Sequence, residues 1–310
     1  MRKAALDTVY HLAQQDPRVL FIGSDLGAGT LEAMRAEFPD RWFMEGISEA
    51  NIIGMAAGLA MDGFIPYINT IAPFFTRRAN EQIMVDLCLH NLPVRLISSG
   101  GGVVYAPLGP THLAIDDIAA MRVMPHMTVV AVSDAEEMRR LMLQSLAVPG
   151  PMYIRLAKGG DKVVSDPAKG FTIGKAIAVR EPGEVLLVTT GIMLSRAMAV
   201  ADLLAEKGVV CGILHMHTIK PLDTVALYDY AGSVKLVTTL EEHSLIGGLG
   251  SAVCEALCDG DLRPPRLLRL GLPDAFPTEY GSQESMLETF GLHPVAMADA
   301  VWRRLQRNDT

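Results

Sequence analysis

Gly46-Ile-Ser-Glu-Ala-Asn-Ile-Ile-Gly-Met-Ala-Ala-Gly-Leu-Ala60 decides how the rest of the chain is read. Past its opening turn, the stretch is apolar or small on nearly every face. A helix of that kind is buried on all sides. Its mouth carries Glu49, and a carboxylate at such a place needs a partner for its charge. Glu49 is therefore a candidate functional acid, and a subunit interface is the expected place for it.

Short apolar runs alternate with helical patterns on either side of this stretch. Val19–Asp25, Ile65–Thr70, Val94–Ser99, Met127–Ser133 and Met152–Leu156 read as strands. Ser48–Met61, Arg77–His90 and Asp134–Ala147 read as helices, the last opened by the capping-box pattern Ser133-Asp-Ala-Glu136. Strands apolar throughout and separated by helices predict a parallel sheet covered on both faces. Lys158–Glu184 breaks the rhythm with glycines, prolines and charges. We read residues 161–183 as a linker between a domain at 1–160 and a second at 184–310. The second half repeats the alternation, with strands at Val185–Thr190, Val209–His215, Leu236–Leu240 and Arg266–Gly271. The expected fold class is α/β, two domains, each a mainly parallel sheet flanked by helices.

Composition narrows the function classes. The chain has 310 residues, half of them hydrophobic, and a net charge of -8. That charge disfavours nucleic acid and anionic membranes as partners. No apolar run reaches the ~18 residues of a membrane helix, and Met1–Tyr10 reads as an amphipathic helix rather than a signal core. Four cysteines without a Cys-x-x-Cys pair fit a reducing cytoplasm.

Several motifs invite chemistry. Gly247-Gly-Leu-Gly-Ser251 follows a strand and opens a helix, but it lacks the third glycine of a dinucleotide loop; tight strand–helix packing is the plainer reading. His215, His217 and His243 lack the neighbours a metal site needs and read as structural. Gly100-Gly-Gly102 and Pro107-Leu-Gly-Pro-Thr-His112 form a long, flexible loop at the C-terminal end of a strand, where open sheets bind ligands. His112 there is either a helix-capping histidine or a substrate contact. Phe74 and Phe75 are either core residues or a stacking surface for a planar ring.

In this order the pieces resemble the C-terminal half of transketolase and its thiamine diphosphate relatives, over nearly the whole length. Phe38-Pro-Asp-Arg-Trp-Phe-Met-Glu-Gly-Ile-Ser-Glu49 is similar to the family segment ending in its catalytic glutamate. Gly109-Pro-Thr-His112, Asp117–Thr128, Lys220-Pro-Leu-Asp223 and Leu240–Ser251 resemble further family marks. The resemblance implies that Glu49 hydrogen-bonds the aminopyrimidine of thiamine diphosphate, favouring the imino tautomer that removes the thiazolium proton. It implies cofactor contacts at Phe74 and Ile71, the latter replacing a common aromatic. Catalytic or substrate contact is implied at His112, and anion contact at Arg77. Leu108 stands where relatives carry an Asp that recognises a substrate hydroxyl. Lys158 is either a phosphate contact or a solvated linker lysine.

The family's Gly-Asp-Gly motif, which holds the diphosphate and its Mg2+, has no counterpart; Cys258-Asp-Gly-Asp-Leu262 has the wrong order. The resemblance therefore implies one subunit of a split transketolase that holds no metal itself. Its partner would be an N-terminal subunit carrying that motif, in an α2β2 heterotetramer acting on sugars or sugar phosphates. The alternatives are the β subunit of a 2-oxo acid dehydrogenase and a degenerate regulatory subunit.

Overall fold

The structure is a computed structural model and describes residues 1–24, 29, 31–157, 159–260 and 265–307. Its strands are β1 (Val19–Gly23), β2 (Trp42–Met44), β3 (Ile65–Ile71), β4 (Arg95–Ser99), β5 (Thr128–Ala131) and β6 (Met152–Leu156), followed by β7 (Ile177–Arg180), β8 (Val185–Thr189), β9 (Cys211–His215), β10 (Thr218–Lys220), β11 (Leu236–Ser244) and β12 (Arg266–Leu272). They form two sheets, ordered β10-β5-β6-β4-β3-β1-β2 and β12-β11-β8-β9-β7. Strands β1, β3, β4, β6, β8 and β9 are buried at every position, the pattern of strands with helices on both faces.

Both sheets are parallel except at one edge each. β10 runs antiparallel to β5, and β7 antiparallel to β9. These short edge strands correct the sequence reading in two ways. The stretch read as a linker contains β7, a full member of the second sheet. β10, from the second half of the chain, closes the first sheet and ties the two halves together. At three and four residues they are too short to show periodicity, and only the partner strand reveals them.

Two helical expectations also change. The segment read as one helix over Arg77–His90 forms π-helical turns at Phe74–Arg78 and Ile83–Cys88 around Asn80–Gln82. Such turns are rare and gather at functional sites. The cap of the helix Ala135–Ser145 is Asp134, which accepts from the amides of Glu136 (3.0 Å) and Glu137 (2.9 Å). Glu137 accepts from the Ser133 amide at 2.6 Å, one residue before the cap, so the reciprocal box expected of Ser133 and Glu136 does not form and Asp134 caps the helix instead. No helix among the described residues is long and apolar enough to cross a membrane.

The helix Glu49–Met61 lies against β3 and buries Ile52, Ile53, Ala56, Ala57 and Ala60. Its other side carries Asn51, Gly54, Gly58 and Met61 into the open. Within this chain the helix is therefore half covered, not buried on all sides. Ile47 (68%) before the helix and Met61 (58%) at its far end are exposed apolar residues, as is Leu89 (71%).

Candidate active site

Glu49 is the first residue of its helix, where the free backbone N–H groups and the helix dipole favour a negative charge. Its side chain is 1% exposed. Thr70, at the C-terminal end of β3, donates to Oε1 at 3.3 Å, and Ser24, after β1, donates to the Thr70 hydroxyl at 2.9 Å. Arg78 Nη1 meets Oε2 at 2.6 Å. The charge that the sequence left without a partner thus has one 29 residues further along the chain, on a side chain that is 44% exposed.

Phe74 and Phe75 part company in the π-helical turn. Phe75 enters the hydrophobic core, while Phe74 stays half buried at the site. The Arg78 guanidinium lies over the Phe74 ring at 4.2 Å from its centroid, within cation–π range. His112 meets the same ring edge-on at 5.5 Å. Glu49, Arg78, Phe74 and His112 form one continuous surface, with buried Ile71 ending β3 beside Thr70.

Arg77 faces the other way. Its Nε and Nη2 meet Asp116 at 3.2 and 2.9 Å, and it donates to the carbonyls of Leu113 (3.0 Å) and Pro110 (3.5 Å). It braces the loop that carries His112, and its donors are engaged by protein groups. The resemblance pointed to Arg77 as an anion contact and carried nothing for Arg78; the pairing of Arg78 with Glu49 shows only in the fold. Leu108 is half exposed on the same loop. Gly109 beside it abuts Tyr280: a Cβ there would lie 2.7 Å from the tyrosine ring. Lys158 lies outside the described residues.

The Gly100–Gly102 segment is packed rather than open and flexible. Gly102 exchanges backbone bonds with Ala114, at φ +70, and a Cβ there would lie 2.3 Å from the Glu242 carboxyl carbon. The reason is a buried polar cluster where the two sheets meet. Arg155 Nε donates to Asp117 Oδ2 at 2.7 Å, and Nη2 donates to the carbonyls of Ala114 (3.2 Å) and Glu242 (2.8 Å). Tyr153 donates to the same Asp117 oxygen at 2.9 Å, and the Val103 amide donates to Glu242 at 3.0 Å. This cluster fixes both ends of the His112 loop.

The remaining motifs resolve as structure. Glu241 accepts from the amides of Leu249 (2.7 Å) and Gly250 (2.8 Å) and so fills the helix N-terminus that a dinucleotide phosphate would use. Burial raises the Glu241 carboxyl to about 7 despite those bonds. His215 pairs with Glu137 at 3.0 Å. Burial, which raises the Glu137 carboxyl, is outweighed by the facing histidines and the Ser133 amide, leaving it at about 2. His217 stacks on Phe171, and burial and then His215 push it down to about 3. His243 lies 3.9 Å from Asp117 and accepts from the Ala119 amide at 3.3 Å. Among the described residues, no three His, Cys, Asp or Glu side chains gather to hold a metal.

Comparison with known proteins gives this arrangement its family. The transketolase pyrimidine binding domain matches residues 1–160, and the transketolase C-terminal domain matches residues 174–297. The chain belongs to the transketolase family. The 6-deoxy-6-sulfo-D-fructose transketolase subunit SqwH of Clostridium sp. (strain MSTE9) is 36% identical over 94% of this chain and 90% of its own length. The 1-deoxy-D-xylulose-5-phosphate synthase of Synechococcus sp. (strain WH7803) is 35% identical over 97% of this chain; the chain spans 46% of that enzyme. Among solved structures, a split gene transketolase, described as an inactive beta4 tetramer, superposes with a TM-score of 0.90 at 34% identity, covering 99% of both chains. Transketolase from Campylobacter jejuni shares the fold at a TM-score of 0.81 and 18% identity. The first matched segment carries β1 to β6 and the second β7 to β12, of which β10 alone joins the first sheet.

Proposed function

We propose that this chain is the pyrimidine-side subunit of a two-chain thiamine diphosphate-dependent transketolase, moving a two-carbon ketol unit from a ketose to an aldose. The observation that carries this reading is Glu49: a buried carboxylate at the mouth of an apolar helix, linked through Arg78 to the Phe74 ring, on a helix whose other side is uncovered. These residues fit the aminopyrimidine half of the cofactor. Glu49 offers a fixed acceptor for a ring nitrogen, Phe74 a flat face and Ile71 a water-excluding wall. The diphosphate half finds no such fit, because the helix N-terminus nearest in sequence pattern is filled by Glu241. Magnesium and diphosphate therefore belong to the partner chain, which would carry the Gly-Asp-Gly motif.

The bound cofactor supplies the carbon nucleophile for ketol transfer. In this chain, Glu49 would accept the ring-nitrogen hydrogen bond and hold the proton there. Thr70 and Ser24 fix the carboxylate's orientation. His112, edge-on to Phe74, hydrogen-bonds a substrate hydroxyl. Leu108 places an apolar side chain where relatives carry Asp, which supports a substrate that differs from ordinary sugar phosphates. A sulfonated sugar is one such class, and the name of the SqwH relative supports it. The uncovered side of the Glu49–Met61 helix is where the partner would dock, in an α2β2 assembly. That the split-gene neighbour is described as an inactive beta4 tetramer supports the same requirement.

The test is reconstitution. Ketol transfer to an aldose should need both this chain and a partner bearing the diphosphate motif. Transfer by this chain alone refutes the split arrangement. Glu49→Gln should leave assembly intact and lower kcat about 10²–10⁴-fold, the range for a positioned acid–base group. Unchanged turnover removes Glu49 from the mechanism. Turnover of pyruvate with an artificial electron acceptor, and none of a ketose, would assign the chain to the 2-oxo acid dehydrogenases instead.

A further inference from the structure

The Glu49 site is already filled by a group of the chain itself. Arg78 contributes a planar, delocalised cation that does two things at once: Nη1 bonds Glu49 Oε2 at 2.6 Å, and the guanidinium plane covers Phe74 at 4.2 Å. Those are the two contacts that the proposed function asks of the aminopyrimidine ring, namely an N–H on the Glu49 carboxylate and a flat π surface against Phe74. A guanidinium and an aminopyrimidine share this chemistry. Both are planar, both present N–H donors in their plane, and both stack on aromatic faces.

We infer that Arg78 is a placeholder for the cofactor's aminopyrimidine, occupying its contacts in the isolated chain and leaving when the ring binds. The inference rests on the reading of Glu49 and Phe74 given above. Three features make the exchange workable. Glu49 is 1% exposed, so an ionised carboxylate there needs a countercharge while the ring is absent. Arg78 is 44% exposed, so its side chain can swing to solvent without breaking the core. It is the last residue of the π-helical turn Phe74–Arg78, so its side chain leaves the turn at a free end. The neighbouring cation, Arg77, is tied to Asp116 and two carbonyls and cannot take over the role. Arg78 thus keeps Glu49 oriented, and it charges a competition cost to any ring that enters. A site whose competent state is only partly populated binds more weakly by that fraction.

The experiment titrates thiamine, which carries the pyrimidine but no diphosphate, into the isolated full chain by calorimetry. Four proteins are compared: wild type, Arg78→Met, Arg78→Lys, and the double variant Glu49→Gln with Arg78→Met. Thermal unfolding of each confirms that it is folded, and Arg78→Lys keeps a cation beside Glu49 should the methionine variant unfold. The expected result is that Arg78→Met binds thiamine at least about tenfold more tightly than wild type, that Arg78→Lys falls between them, and that the double variant loses the gain. If wild type and both Arg78 single variants bind alike, or removing Arg78 weakens binding, while the glutamine still abolishes it, the placeholder idea falls and the Glu49 reading stands. If the double variant matches Arg78→Met, or no variant binds, the Glu49 reading falls and the placeholder with it.

Discussion

Asp117→Asn tests whether the contact between the two sheets holds the His112 loop in place. Asp117 is fully buried, and one of its oxygens accepts from both Arg155 Nε (2.7 Å) and Tyr153 (2.9 Å). Asparagine keeps the shape and one acceptor but removes the charge opposite a buried guanidinium. Unit charges about 4 Å apart interact by roughly 4 kcal/mol at an effective dielectric of about 20. Stripping one partner from a buried pair costs about 3–5 kcal/mol. Arg155 retains the carbonyls of Ala114 and Glu242 and the field of the Glu242 carboxylate, so the lower end, about 3 kcal/mol, is expected. Urea unfolding of the isolated chain should show the midpoint falling with little change in slope. Combining Asp117→Asn with Arg155→Met should be less destabilising than the sum of the two, because the second change removes the stranded charge. A loss below about 1 kcal/mol, or strict additivity in the double variant, refutes the assignment of this pair as the clamp.

The other predictions follow from the capping carboxylates. Glu241 titrates near 7 in the folded chain against 4.5 in its ordinary setting, so between those values the folded state holds the extra proton and stability falls as pH rises. The stability difference between wild type and Glu241→Gln should therefore shift by about 3 kcal/mol from pH 4.5 to 7, wild type losing ground; a flat difference refutes the raised carboxyl. Asp134 accepts four backbone amides, from Glu136, Glu137, Val164 and Ser165. Asp134→Ala should cost about 3 kcal/mol or more, above the ~1 kcal/mol of an ordinary cap, and amide hydrogen exchange should quicken at Val164 and Ser165 as well as in the helix. Protection unchanged at those two amides would show that the loop is held by something else.

Much of the fold was legible because parallel α/β structure writes itself into the chain. Strands buried on both faces must be apolar throughout, so β3, β4 and β6 could be found within a residue or so of their ends. The helix Glu49–Met61 and its first-turn carboxylate were equally plain. What failed were elements whose existence depends on a distant partner. β7 and β10 are strands only because β9 and β5 offer them free edges, and their few residues, among charges and glycines, carry no period.

The same division runs through the site. Sequence alone determined that Glu49 would be a buried acid in an apolar setting, since nothing within its own helix could answer the charge. It also placed Phe74 and His112 in loops at the strand ends. Only the tertiary structure decided which of two adjacent arginines meets Glu49, because a π turn shifts which residue faces inward. Only it decided that Gly100–Gly102 is a packed crossing over Arg155 and Glu242, and that Glu241 occupies the helix N-terminus a phosphate would otherwise want. Patterns of polarity follow from whether a segment is buried, which is local; pairings of charge depend on which surfaces meet, and that is settled when the two sheets close on each other.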